Sequence, residues 1–151
     1  MTDTLEATKK RALKILGNRN FSEAEMIKRL TGKGESREDA EEAAAWLVEL
    51  GYINDENYAS LIVEHYSSKG YGITRVKDEL YKRGIPRELR DLALSALDNE
   101  SVSEAALVFL RKKLRGGSDE NDIRRARDAL VRRGFSYEDT KIAINLYLEL
   151  I

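Results

Sequence analysis

Leu30, Leu80 and Leu130 stand fifty residues apart, as do Gly34, Gly84 and Gly134, Glu38, Glu88 and Glu138, and Ala43, Ala93 and Ala143. A cation precedes each glycine, at Lys33, Arg83 and Arg133. A register held without gaps over 151 residues means one structural unit copied three times. A unit of fifty residues hides too little apolar surface to be stable alone, so neighbouring units must stack and bury one another.

The periodicity inside each unit is helical. Ile73, Val76 and Leu80, then Ile123, Ala126 and Leu130, fall on one face of a helix; the first unit keeps Met26 and Leu30, with Glu23 at the remaining place. A following helix turns Ala43, Ala44 and Leu47 inward, then Ala93, Leu94 and Leu97, then Ala143, Ile144 and Tyr147. Ser22 with Glu25 and Ser101 with Glu104 read as capping boxes, and Ser36 with Asp39 and Ser136 with Asp139 as a shorter version. Pro86 suits a first helical turn, and the three glycines suit the left-handed position after a helix end. The expected helices run over 4–16, 22–33, 36–50, 55–69, 73–83, 86–97, 101–115, 120–133 and 136–150. The fold class is therefore all-α: three tandem three-helix repeats stacked into an elongated, curved array, with units at 1–53, 54–100 and 101–151. Gly116-Gly117 and Asp98-Asn99-Glu100 are the expected flexible points, and Trp46 is expected to pack between repeats.

Composition narrows the chemistry. With no cysteine and one histidine, His65, the chain cannot build a Cys-type zinc site or a two-His metal site. No basic-then-apolar leader opens the chain, and no apolar run has membrane-spanning length, so a cytoplasmic protein is the simplest expectation; a monomer is expected as well. No nucleophile–base set or phosphate loop stands out, so no enzyme is expected. Net charge is −1, but nine Lys or Arg face four acids between Arg111 and Arg133. The last third is the basic end.

Two stretches resemble the RecX family. Leu50-Gly51-Tyr52-Ile53-Asn54-Asp55-Glu56-Asn57-Tyr58-Ala59 is similar to its glycine, Asp-acidic-x-aromatic-Ala signature. Lys69-Gly70-Tyr71-Gly72-Ile73 and Glu79-Leu80-Tyr81-Lys82-Arg83-Gly84-Ile85 are similar to its Lys-Gly-x-Gly and Glu-Leu-x-x-basic-Gly-Ile pattern. Arg19, Ser22, Glu25, Leu30 and Gly34 fit its first repeat. The likeness covers about 10–150. Around Arg19 the family pattern is richer in arginine, whereas Asn18, Asn20 and Phe21 stand here, and Thr74 replaces a common proline; this argues against a basic contact surface on the first repeat. The resemblance implies a curved, nine-helix regulator that lodges in the groove of the RecA–DNA filament, halts its growth or promotes its loss, suppresses strand exchange and needs no cofactor of its own. The implied partners are the RecA filament and the DNA within it, and Gly51, Asp55, Glu56, Tyr58, Gly70, Gly72, Leu80 and Gly84 form the structural motif.

Two sets of cations are candidates for that contact: Lys69, Arg75, Lys77, Lys82 and Arg83 in the second repeat, where Arg83 reads more plainly as serving the negative end of its helix, and Arg111, Lys112, Lys113, Arg115, Arg124, Arg125, Arg127, Arg132 and Arg133 in the third. Arginine forks suit phosphates and carboxylates. The plainer reading is a solvated helix surface with local pairs such as Arg124 with Asp128. A helical scaffold for proteins, or a helix-turn-helix DNA binder unrelated to RecA, remain rival readings of the same surface. Asn54 or Asp55 reads as a helix cap, Glu56 as a partner of the helix's positive end, and Tyr58 as core.

Overall fold

The computed structural model describes residues 2–151, with side chains from Thr4 onward; Met1 lies outside the described residues. Among the described residues there are nine helices and no strand: α1 (Thr2–Leu16), α2 (Glu23–Gly32), α3 (Arg37–Glu49), α4 (Asp55–Ser68), α5 (Ile73–Lys82), α6 (Arg87–Leu94), α7 (Asn99–Leu114), α8 (Glu120–Arg132) and α9 (Tyr137–Leu150). Each consecutive triplet closes around its own core. Met26, Leu30 and Leu47 centre the first; Ile62, Val76 and Leu80 the second; Leu110, Leu130 and Tyr147 the third. Leu30, Leu80 and Leu130 are each wholly buried in the last turn of a middle helix. Their carbonyls accept the N–H of Glu35, Ile85 and Phe135, while Gly34, Gly84 and Gly134 donate to Thr31, Tyr81 and Val131. This double bond pattern needs a left-handed residue, and the glycines supply it at φ of +96°, +72° and +99°. Ile85 and Phe135 then fold back into their cores. Glu35 cannot, and pairs with Arg11 at 3.1 Å instead.

The caps follow the sequence with a few corrections. Ser22 forms the full capping box with Glu25, and Ser36, Asn54 and Ser136 cap α3, α4 and α9. Pro86 stands one place earlier than expected, at the N-cap of α6. That helix ends at Leu94 rather than 97, and α7 starts earlier because Asp98, not Ser101, is its cap: the Asp98 carboxylate accepts the Ser101 N–H at 2.8 Å. Asp98-Asn99-Glu100 is thus a helix start and not a hinge. The Gly116-Gly117 turn follows Arg115, which itself takes a left-handed conformation, and the Tyr147 hydroxyl ties the turn down at Gly117 O (2.9 Å). Trp46 packs inside the first triplet against its core, with the Lys9 ammonium over its ring, and not between repeats.

The triplets join by the tips of their middle helices as well as by packing of α4 on α7. Carbonyls left over at the end of α8 meet amides left over at the start of α5: Gly72 N–H donates to Arg133 O at 2.9 Å and Thr74 N–H to Gly134 O at 3.2 Å. The end of α5 meets the start of α2 in the same way, where the Ser22 hydroxyl donates to Arg83 O. Helices α2, α5 and α8 therefore run head to tail, with unlike dipole ends together. Asp55 adds a second tie, accepting the Glu23 N–H at 3.0 Å across the first junction. Burial pushes the Asp55 carboxyl up, the Glu23 amide partly offsets this, and the charge of Glu25 adds to the rise.

Candidate functional site

The arginines at the junctions are not free. Arg133 donates to Gly70 O (3.0 Å) and Lys69 O (2.8 Å) and lies over the rings of Tyr71 and Phe109, 3.9 and 4.7 Å from their centroids. Arg75 bonds Glu79 at 3.1 Å and lies over Tyr66 and Tyr71. Arg83 reaches Tyr58 (3.1 Å), Tyr66 (3.3 Å) and Glu79 (3.4 Å). Burial alone would push the Glu79 carboxyl up, but hydrogen bonds from Arg75 and Tyr66 and the charges of Arg75 and Arg83 outweigh it and hold it below the ordinary glutamate value. Cation–π and charge-assisted bonds of the kind Arg83 makes are each worth about 1–2 kcal/mol when partly desolvated. Tyr58, Tyr66 and Tyr71 thus serve the frame, while Tyr52 and Tyr81 stay exposed. Arg75 and Arg133, read from sequence as outward contacts, are committed to partners inside the molecule.

The other predicted cations face solvent. Lys69, Lys77, Lys82, Arg111, Lys112, Arg115, Arg124, Arg125, Arg127 and Arg132 are all exposed. Arg124 bonds Asn121 (3.4 Å) rather than Asp128. At about 100° per residue, Arg124 and Arg127 lie about 60° apart around α8, and Arg125 and Arg132 about 20° apart on the other flank. Arg124 and Arg127 line one shallow hollow with Leu148. The α8 cations therefore spread over the whole exposed arc rather than forming one line.

A second basic surface was not anticipated. Lys10, Arg11 and Lys14 of α1 and Arg29 of α2 line a hollow with Lys33, and an adjoining hollow shares Arg29 and Lys33 with Arg19, Lys28 and Lys82. Lys82 comes from α5, brought there by the head-to-tail junction. Phe21 holds this surface together, with the Arg19 and Arg29 guanidinium groups 5.3 and 5.9 Å from its ring centroid. Only Arg11 has an acidic partner, Glu35; the other cations form no ion pair among the described residues. A finer window would have found it. Residues 7–33 hold eight Lys or Arg against two acids, while 35–49 hold six acids against Arg37, so averaging over the first third erased the contrast.

The motif residues do structural work. Gly51 closes α3 with φ +81°, Asn54 caps α4, Tyr58 is core, and Gly70 takes φ +80° beside Phe109. Gly72 has ordinary φ, but a Cβ there would fall inside the Gly134 carbonyl and 2.5 Å from the Phe135 nitrogen. Its glycine permits the junction. The family model for the second three-helix domain of RecX matches residues 54–94, from the cap of α4 to the last residue of α6. The regulatory protein RecX of Stenotrophomonas maltophilia strain R551-3 is 33% identical over 134 residues, covering 88% of this chain and 82% of its own. That of Caldanaerobacter subterraneus is 30% identical over 139 residues, covering 91% and 69%.

The chain belongs to the RecX family.

A crystal structure of RecX from Lactobacillus salivarius superposes with a TM-score of 0.85 over the full length of both chains, at 24% identity, which bears on the fold. The RecX relatives matched here are named as regulatory proteins. Among the described residues no cluster of His, Cys, Asp or Glu is arranged to hold a metal ion, and no helix is long and apolar enough to cross a membrane. In this RecX chain the family-like signature maps to helix ends, the second core and the α8–α5 junction.

Proposed function

We propose that this RecX protein binds the RecA–DNA filament and restrains its growth, its ATP hydrolysis and strand exchange. The observation that carries the reading is charge segregation. In a chain of net charge −1, unpaired cations gather on the α1–α2 surface with Lys82 and again on α7 and α8. A filament is long, repetitive and phosphate-rich, so a row of separate basic surfaces can engage it where a compact ligand would fit only one. In this reading Lys69, Lys77, Lys82, Arg111, Lys112, Arg115, Arg124, Arg125, Arg127 and Arg132 act together with Arg19, Lys28, Arg29 and Lys33. Arginine forks and lysine charges orient the protein on phosphates or acidic side chains, and the three units, 1–53, 54–100 and 101–151, span neighbouring protomers so that the next one cannot add. The protein works by occupancy, as a cytoplasmic monomer without a reaction of its own.

The deciding measurement is DNA-stimulated ATP hydrolysis by RecA, with and without a stoichiometric amount of this protein. A fall in rate supports the reading. An unchanged rate, under conditions where a known RecX protein lowers it, removes it.

A further inference from the structure

Helix α6 has 8 residues where its counterparts α3 and α9 have 13 and 14. Ser95 stops it, with its hydroxyl donating to Leu92 O at 2.6 Å, and Asp98 starts α7 three residues later. The missing turn and a half leaves an open groove of about 620 Å³ between α4, α6 and α7. One wall is the α4 stripe Glu56, Ser60, Val63, Glu64 and Ser67, spaced so that all share a helix face. The other is Ser101, Glu104, Ala105 and Val108 of α7, and Leu89, Leu92 and Leu97 lie between. Leu92 is 54% exposed.

The lining contains three carboxylates, Glu56, Glu64 and Glu104, and no Lys or Arg, and none of the three forms an ion pair among the described residues. The apolar floor with an acidic rim is complementary to one class of partner. From this geometry we infer that the groove receives an amphipathic α-helix of a partner protein, with an apolar stripe on the floor and Lys or Arg on its flanks. The α4 wall from Glu56 to Ser67 is about 16 Å long at about 1.5 Å per residue, which matches about three helical turns. Small side chains at Ser60, Ser101 and Ala105 let that helix approach closely. A nucleic acid is repelled by the same rim, so this surface and the basic ones select different partners. The inference stands apart from filament binding, since it draws on none of the same residues.

The test uses the full chain and a fluorescent designed helix of about 14 residues, with leucine along one face and lysine on both flanks. The expected result is saturable binding, with amide shifts on α4, α6 and α7 in a 15N spectrum. Leu92→Lys and the double variant Glu64→Lys/Glu104→Lys should each weaken it about tenfold while circular dichroism stays unchanged, and Arg29→Glu/Lys33→Glu should not weaken it. Equal affinity for a scrambled peptide, equal affinity in the groove variants, or shifts located elsewhere would overturn the inference. So would concentration-dependent self-association that fills the groove with a second copy.

Discussion

Among the described residues Glu79 is the buried side chain that carries a charge, and its cost is met by Arg75, Arg83 and the Tyr66 hydroxyl. Because its folded pKa lies below the ordinary 4.5, its contribution to stability is fully present above about that pH and is lost as pH falls through the lowered folded value. Glu79→Gln should cost about 1–2 kcal/mol at pH 7, since Arg75 and Arg83 remain 40% and 33% exposed and water screens them. Urea unfolding at pH 7 and at acid pH should show the gap between the two proteins closing in acid. Thr140 is the opposite case: its hydroxyl is fully buried and finds no hydrogen-bond partner among the described residues, while Ala40 fills the same place in the first repeat. Thr140→Val keeps the shape and removes the orphaned hydroxyl, so it should stabilise by about 1 kcal/mol, read as a higher urea midpoint.

At the scale of elements, the most demanding site is the junction where α8 ends and α5 begins. Gly72→Ala leaves φ acceptable but forces a methyl into the Gly134–Phe135 backbone. We expect a loss of about 1–3 kcal/mol, together with faster amide exchange at Gly72 and Thr74, whose N–H groups hold the junction. The middle-helix pattern of Val76 and Leu80, the capping serines and the closing glycines were legible because each depends on neighbours within one or two turns. The end of α6 was not. Leu97 continues the apolar spacing, and only the competition between Ser95 as a stop and Asp98 as a start decides where the chain turns.

For the whole molecule, the two basic surfaces make separable predictions. Arg29→Glu/Lys33→Glu/Lys82→Glu changes only exposed side chains, so the unfolding midpoint should stay close to that of the parent protein. Inhibition of RecA ATP hydrolysis should weaken, and the slope of log affinity on log salt for single-stranded DNA filaments should fall by about 2 for three lost phosphate contacts. Arg124→Glu/Arg127→Glu/Arg132→Glu should act in the same direction, with helicity retained. Unchanged inhibition in both triple variants would take the exposed cations out of the mechanism.

The fifty-residue register alone determined three like units, the ends of their middle helices and the leucines at their centres, because burial and capping are local and repeat with the sequence. It also placed most of the exposed cations on helix surfaces. Which charges stay available was decided only by tertiary structure. Arg133 is drawn inside because the head-to-tail docking of α5 and α8 brings the Lys69 and Gly70 carbonyls and the Tyr71 ring of the neighbouring unit within reach, and Arg83 is held by Tyr58, Tyr66 and Glu79 of its own unit, whereas Lys82, one residue away, is turned out to join Arg29 and Lys33 across a junction that spans about fifty positions of chain.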